Sequence, residues 1–213
     1  MILKDDNESG AILTEVLRRT AVIRINRPSE RNSLSASTLR ELKESVSTLS
    51  ARSDVESIIF TGTNDVFASG ADIRELRTLS TEAANTFALM GQQLFQEIAG
   101  AKQITIAAIN GFCMGGGLDL ALACDFRFAS SNAVFAHPGA RLGIITGWGG
   151  TQRLPRLIGT TRSLEILLTA RRVNSTEALE IGLVNRVADP VFDLALEFAE
   201  KIRQGAKESL MRD

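Results

Sequence analysis

The sequence predicts an α/β fold built around a mostly parallel sheet. Two observations carry that expectation. Three times a short apolar run, VIRIN (22–26), SIIFTG (57–62) and TIAAIN (105–110), leads through a loop into a helical pattern. Strands alternating with helices imply parallel pairing through right-handed crossovers. Two of the loops, FASGAD (67–72) and FCMGGG (112–117), leave the C-terminal ends of their strands, where open α/β sheets place their sites.

The elements follow in order. ILTEVL (12–17) and AVIRIN (21–26) read as a hairpin, with Arg18, Arg19 and Thr20 at the turn. After the loop SERNSL (29–34), Ser35 is a plausible N-cap for a helix with Leu39, Leu42, Val46 and Leu49 at helical spacing. SIIFTG is a short buried strand, and ADIREL (71–76) reads as the first turns of a helix. Ala83, Phe87, Met90, Leu94 and Ile98 form the apolar stripe of a long helix over 81–99. A β-branched and apolar run over 104–109 is a buried strand, broken by Asn110 and Gly111 and followed by an apolar helix over 118–124. Strands are expected at 126–129 and 133–136. The glycine-rich AHPGARLGIITGWGGTQRL (136–154) reads as turns. RLPRLIG, TTRSLEILLTA and STEALEIG read as short helices, LVNRVA (183–188) as an extended piece, and 191–209 as a last amphipathic helix.

Composition excludes several function classes. The 213 residues are 44% hydrophobic and 23% charged, with a net charge of −1, an ordinary globular balance for one domain with a sizeable core. That neutrality offers no electrostatic footprint for nucleic acid. No apolar run approaches the ~20 residues of a membrane span. The opening MILKDDNESG is acidic and polar, unlike a secretory signal. Two cysteines, Cys113 and Cys124, make no disulfide framework, so a reducing, cytoplasmic setting is expected. One histidine and two cysteines make no zinc site.

The chemistry concentrates at Gly115, Gly116 and Gly117, between strand and helix. Helix-start amides without intrahelical partners, aided by the helix dipole, can bind an anion or stabilise one formed during a reaction. Close packing of two elements also explains such glycines. A dinucleotide fingerprint fails because Leu120 stands where a third small residue is needed, and a phosphate loop fails because no Lys-Ser or Lys-Thr follows. Cys113, just before the helix, could hold a thiolate or be a buried, inert thiol.

The ordered motifs NRPSERNSL, IIFTG with FASGADIREL, IAAINGFCMGGGLDLALACDFRFAS, ARLGIITGWGGTQRLPRLIG and LTARRVNSTEALEIGLVNRV resemble the crotonase superfamily, also called the enoyl-CoA hydratase/isomerase family, over about 22–187. The resemblance implies a crotonase-like spiral of ββα units with two roughly perpendicular sheets surrounded by helices. It implies a residue 1–190 acyl-CoA-binding core, a C-terminal helix over 191–213, and a homotrimer or dimer of trimers. Acyl-CoA is the implied substrate, with coenzyme A as part of it and no separate cofactor or metal. Motif matching places the two oxyanion donors at the amides of Ala71 and Gly116. Fixed donors stabilise enolate charge on a thioester oxygen. Arg27, Asn32 and Leu34, and Ser69, Gly70 and Asp72, resemble residues lining the CoA groove, largely through backbone contacts, and Gly115, Pro138 and Gly139 join them. Asp72 also reads as a helix N-cap.

The pattern departs from the family at two carboxylates. Hydratases of the family carry a glutamate at the position of Asp119, and a second at the position of Gly139. Asp119 sits among Leu118, Leu120, Ala121 and Leu122. An acid there is expected to face an apolar interior that raises its pKa toward values useful for proton transfer, or else to complement the helix dipole. Without a second acid, one carboxylate must both activate water and deliver a proton. Enoyl-CoA hydratase-like chemistry is the first expectation. Isomerisation, decarboxylation and binding without catalysis are the alternatives. His137 could serve as a general base or carboxylate anchor, or be structural. Trp148 either lines and shortens the acyl pocket or fills core. Relatives of this type commonly continue ~50 residues past the C-terminus found here, in helices that close the acyl pocket.

Overall fold

The computed structural model describes residues 10–210. The expectations that fall on 1–9 and 211–213 lie outside the described residues. The chain runs β1 (Ile12–Leu17), β2 (Thr20–Ile25), β3 (Ser33–Leu34), α1 (Ala36–Ser50), β4 (Ser57–Thr61), β5 (Val66–Ala68), β6 (Gly70–Ala71), α2 (Ile73–Leu76) and α3 (Thr81–Ala99). It continues through β7 (Ile104–Ile109), β8 (Phe112–Met114), α4 (Gly116–Ala123), β9 (Phe126–Ala129), β10 (Val134–Ala136), α5 (Gly150–Ile158) and α6 (Thr160–Thr169). It ends with β11 (Val173–Asn174), α7 (Ser175–Glu180), β12 (Arg186–Val187) and α8 (Val191–Leu210).

Two sheets take turns along the chain. The larger has the order β1-β2-β4-β7-β9-β12, the smaller β11-β10-β8-β5, and β3 pairs with β6 alone. Among the described strands of the large sheet, only β1 runs antiparallel to its neighbour. Each of the pairs β4/β5, β7/β8 and β9/β10 sends its first strand to the large sheet and its second to the small one. This is the ββα spiral the motifs imply. Its consequence is that the loops after β5 and β8 come to one end of the small sheet, side by side.

The large sheet is covered on both faces, which is why its central strands are apolar throughout rather than alternating. Along β4, Ile58 and Phe60 enter the main core with Leu39, Leu42 and Leu94, while Ile59 points the other way. Ile59, Ile106, Ala108 and Phe128 meet Val191, Ala195 and Ala199 of α8 on that second face. The Phe198 ring stands edge-on to Phe126 and Phe128, at 4.7 and 5.0 Å between centroids. The C-terminal helix is thus the lid of the sheet's outer face. No described helix is long and apolar enough to cross a membrane.

Several boundaries differ from the sequence reading. Thr20 begins β2, so the hairpin turn is Arg18 and Arg19 alone. The glycine-rich helix starts at Gly116 and stops at Ala123, where Cys124 is extended. The strands β3, β5, β6 and β8 arise inside segments that read as loops. At two or three residues each, they are too short for an alternating pattern to register. Ser35 caps α1 as expected, its side chain accepting from the Thr38 amide.

Candidate active site

The site forms where the loops after β5 and β8 touch. Gly70 makes the approach possible. Its φ is +98°, and a Cβ there would lie 2.9 Å from the Met114 carbonyl oxygen and 3.1 Å from the Gly116 nitrogen. The Asp72 amide donates toward β3, to Leu34 O at 3.4 Å. Successive strand amides point to opposite sides, so the Ala71 N–H faces away from β3. It lies beside Gly116, whose Cβ, if present, would be 3.5 Å from the Ala71 nitrogen. Gly116 opens α4, so its own amide has no intrahelical acceptor. Two amides from different loops therefore stand together at one point.

Asp119 lies in the first turn of α4 and is 1% exposed. The Thr146 hydroxyl donates to its Oδ2. His137 Nε2 faces its Oδ1 at 3.4 Å. A Cβ on Gly150 would collide with Oδ1 and reach within 3.0 Å of His137 Nε2, so that glycine leaves the room the pair occupies. Burial pushes Asp119 up to about 7, against the opposing pull of the Thr146 hydroxyl, the Arg153 charge and the Trp148 and Gly150 amides. His137, 3% exposed, is pushed down to about 4 by burial. At neutral pH the imidazole is uncharged and the acid is poised between its two forms. An acid poised this way can both accept and deliver a proton.

Trp148 forms a wall of the site and belongs to the core as well. It is 5% exposed, with the rings of Phe87 and Phe95 at 5.2 and 5.6 Å. Its indole fills the space that side chains at Gly91 of α3 and Gly116 of α4 would need. Arg153 ties the arrangement together, donating to Trp148 O at 3.1 Å and Phe95 O at 3.2 Å.

These groups border one cavity of about 260 Å³. Ser69, Gly70, Ala71, Gly115, Gly116, Asp119, His137, Pro138, Gly139 and Trp148 all line it, joined by Phe87 and Ala88 of α3 and by the 144–147 segment. Among the described residues lining it, Asp119 is the only carboxylate. Its rim is apolar, with Ile73, Leu142, Ile144 and Ile145 all exposed.

Four residues expected to bind substrate have side chains engaged elsewhere. Arg27 donates to Ser33 O, Ser35 Oγ and Thr38 Oγ1 at 3.0, 3.0 and 2.9 Å. Asn32 is fully buried and donates to Val66 O at 2.7 Å, while its Oδ1 accepts from the Arg27 amide at 2.8 Å. Leu34 is core. Asp72 caps α2 by accepting from the Arg74 amide at 3.0 Å, and the Arg74 guanidinium holds its carboxyl down to about 2. Arg27 ties its loop to the start of α1, Asn32 ties it to β5, and the Ser33 hydroxyl donates to Asp72 Oδ2 at 3.3 Å, so what the 27–34 and 69–72 loops offer a ligand is backbone. Cys113 is buried in β8, and burial raises its thiol well above the usual range, which makes it an inert core residue.

Thr146, Gly150, Arg153 and Phe87 were not singled out as site residues from sequence. Thr146 lies 27 positions beyond Asp119, in a stretch with no periodicity that could have placed its side chain. Phe87 carried a signal, as one of the apolar stripe of α3, but that stripe reads as core.

The profile of the enoyl-CoA hydratase/isomerase family matches residues 17–212. The chain is 46% identical over 180 residues to a crotonyl-CoA hydratase of Syntrophomonas wolfei, spanning 84% of this chain and 69% of that protein. It is 39% identical over 202 residues to a short-chain-enoyl-CoA hydratase of Clostridium acetobutylicum, spanning 93% and 77%. The fold superposes on the crystal structure of an enoyl-CoA hydratase from Bacillus anthracis with a TM-score of 0.88 and 37% identity, covering 91% of this chain and 77% of the other.

Proposed function

Since the chain belongs to the enoyl-CoA hydratase/isomerase family and is an enoyl-CoA hydratase-like enzyme, we propose that its cavity takes the acyl end of a short 2-enoyl-CoA thioester. The Ala71 and Gly116 amides hold the thioester carbonyl oxygen, and Asp119 moves the proton. Attack of water on the β-carbon drives electron density onto that oxygen, and two preformed donors stabilise the enolate. One such donor is typically worth ~10²–10³ in rate. Asp119 removes a proton as water adds and returns one to the α-carbon. The observation that carries the reading is the burial of this single acid beside the paired amides, which holds it near neutral pKa. Coenzyme A enters as part of the substrate.

The test is the loss of conjugated thioester absorbance with crotonyl-CoA, for wild type and Asp119→Ala. Turnover in wild type that vanishes in the variant supports the proposal. Binding of the ester without turnover in wild type overturns it.

The single carboxylate favours a second reading, double-bond isomerisation. There one base shuttles a proton between the α- and γ-carbons and no water need be held. Conversion of a 3-enoyl-CoA to its conjugated isomer, with no hydration of the product, would select it.

A homotrimer or dimer of trimers is the oligomeric form that goes with this reading. Leu164 and Leu168 of α6 and Leu179 of α7 expose apolar surface, which a second copy would cover. Sedimentation velocity tests it. A cytoplasmic site of action accompanies the two buried free thiols of Cys113 and Cys124, and fractionation of the source cells checks it.

A further inference from the structure

Gly139 stands where a second acid would be expected, and the fold leaves that position no room for a side chain. A Cβ on Gly139 would come within 2.7 Å of the Ile144 carbonyl oxygen. The Ile144 amide also donates to Gly139 O at 3.0 Å, so the 140–147 segment folds back over the position. That fold-back delivers Thr146 to the cavity wall, where its hydroxyl meets Asp119 Oδ2. The other carboxylate oxygen, Oδ1, and His137 Nε2 are buried and have no hydrogen-bond partner among the described residues. A hydroxyl carries one proton and two acceptor sites. With its proton directed at Asp119, the Thr146 oxygen still has lone pairs free to accept.

We propose that Thr146 does the work of the missing second acid, holding the attacking water and relaying its proton to Asp119. This rests on the hydratase reading above. In the step, the water oxygen bonds to the β-carbon and one water O–H bond breaks. That proton goes to Thr146 Oγ as the hydroxyl's own proton passes to Asp119 Oδ2. The alkene electron pair moves through the α-carbon onto the thioester oxygen, held by the Ala71 and Gly116 amides. Asp119 then gives its proton to the α-carbon. The sum is addition of one water, and Thr146 ends as it began.

The test compares Thr146→Val, which keeps the shape and removes the hydroxyl, with Thr146→Ser, which restores it. Turnover of crotonyl-CoA is followed, with binding of the saturated butyryl-CoA as a check on the site. General acid–base groups contribute about 10²–10⁴-fold, so Thr146→Val is expected to lower kcat by ~10²-fold with butyryl-CoA binding retained. Thr146→Ser should recover most of that loss. The low-pH limb of the rate should move upward in Thr146→Val, since the hydroxyl lowers the Asp119 pKa. A valine variant as fast as wild type, or a serine variant as slow as valine, overturns the relay while the hydratase reading stands. A wild type that binds the ester without hydrating it overturns both.

Discussion

Asp119 Oδ1 and His137 Nε2 face each other at 3.4 Å inside the protein, and among the described residues neither atom has a hydrogen-bond partner. One proton between them would satisfy both. The two groups are displaced in opposite directions by the same burial, the acid up to about 7 and the imidazole down to about 4.

These shifts set a signature in stability against pH. A raised acid binds more protons folded than unfolded, so Asp119 destabilises the fold as pH rises from about 4 to 7. A depressed histidine binds fewer protons folded, so His137 stabilises the fold as pH rises from about 4 to 6.5. The two slopes oppose each other over the shared range. We expect nearly flat stability between about pH 4 and 6 and a decline approaching pH 7. Asp119→Asn should remove the decline, gaining on the order of a few kcal/mol over wild type at pH 8. Urea melts at closely spaced pH values measure both.

The same acid predicts the rate profile. Asp119 must be ionised to take a proton from water, so kcat/KM for crotonyl-CoA should rise with pH and level off through about 7. A limb near pH 4 instead would mean the carboxylate is solvated in solution.

Installing the second acid should fail. Gly139→Glu must displace the Ile144 carbonyl, and the 140–147 segment carries Thr146 and leads to Trp148. We expect lower activity than wild type and a stability loss of about 1–3 kcal/mol, as for overpacking. A faster enzyme would show that the segment yields without disturbing Asp119.

Trp148 and Gly91 should respond as a pair. Gly91→Ala ought to gain up to ~1 kcal/mol from helix propensity. The added methyl meets the indole nitrogen, and the collision dominates, so a net loss of about 1–3 kcal/mol is expected. In a Trp148→Ala background the sign should reverse. Trp148→Ala itself should cost about 3–5 kcal/mol and shift preference from four-carbon toward longer enoyl chains, because the indole lines the cavity beside Gly116 and its loss enlarges it. Thermal melts and chain-length profiles read both effects.

The chain's own order of residues determined the strands 57–61 and 104–109, the helix 81–99 and the Ser35 cap, because hydrophobic period and capping chemistry are local. The glycine loop was legible from its own residues, and the resemblance to the enoyl-CoA hydratase/isomerase family marked Asp119 and the missing acid at Gly139, since that match rests on short contiguous motifs. What tertiary structure decided is which side chains share the cavity. Arg27, Asn32 and Leu34 resemble groove residues that act through backbone, and the structure turns their side chains away from the cavity into hydrogen bonds and core. Thr146 was invisible because its partner lies 27 positions away, in an aperiodic segment whose path depends on Gly139 and Gly150 having no side chains. Trp148 could be wall or core by sequence, and it is both, because the two glycines that admit it come from different helices. Such long-range steric fits have no local signature. They exist only once the spiral has brought the loops after β5 and β8 together.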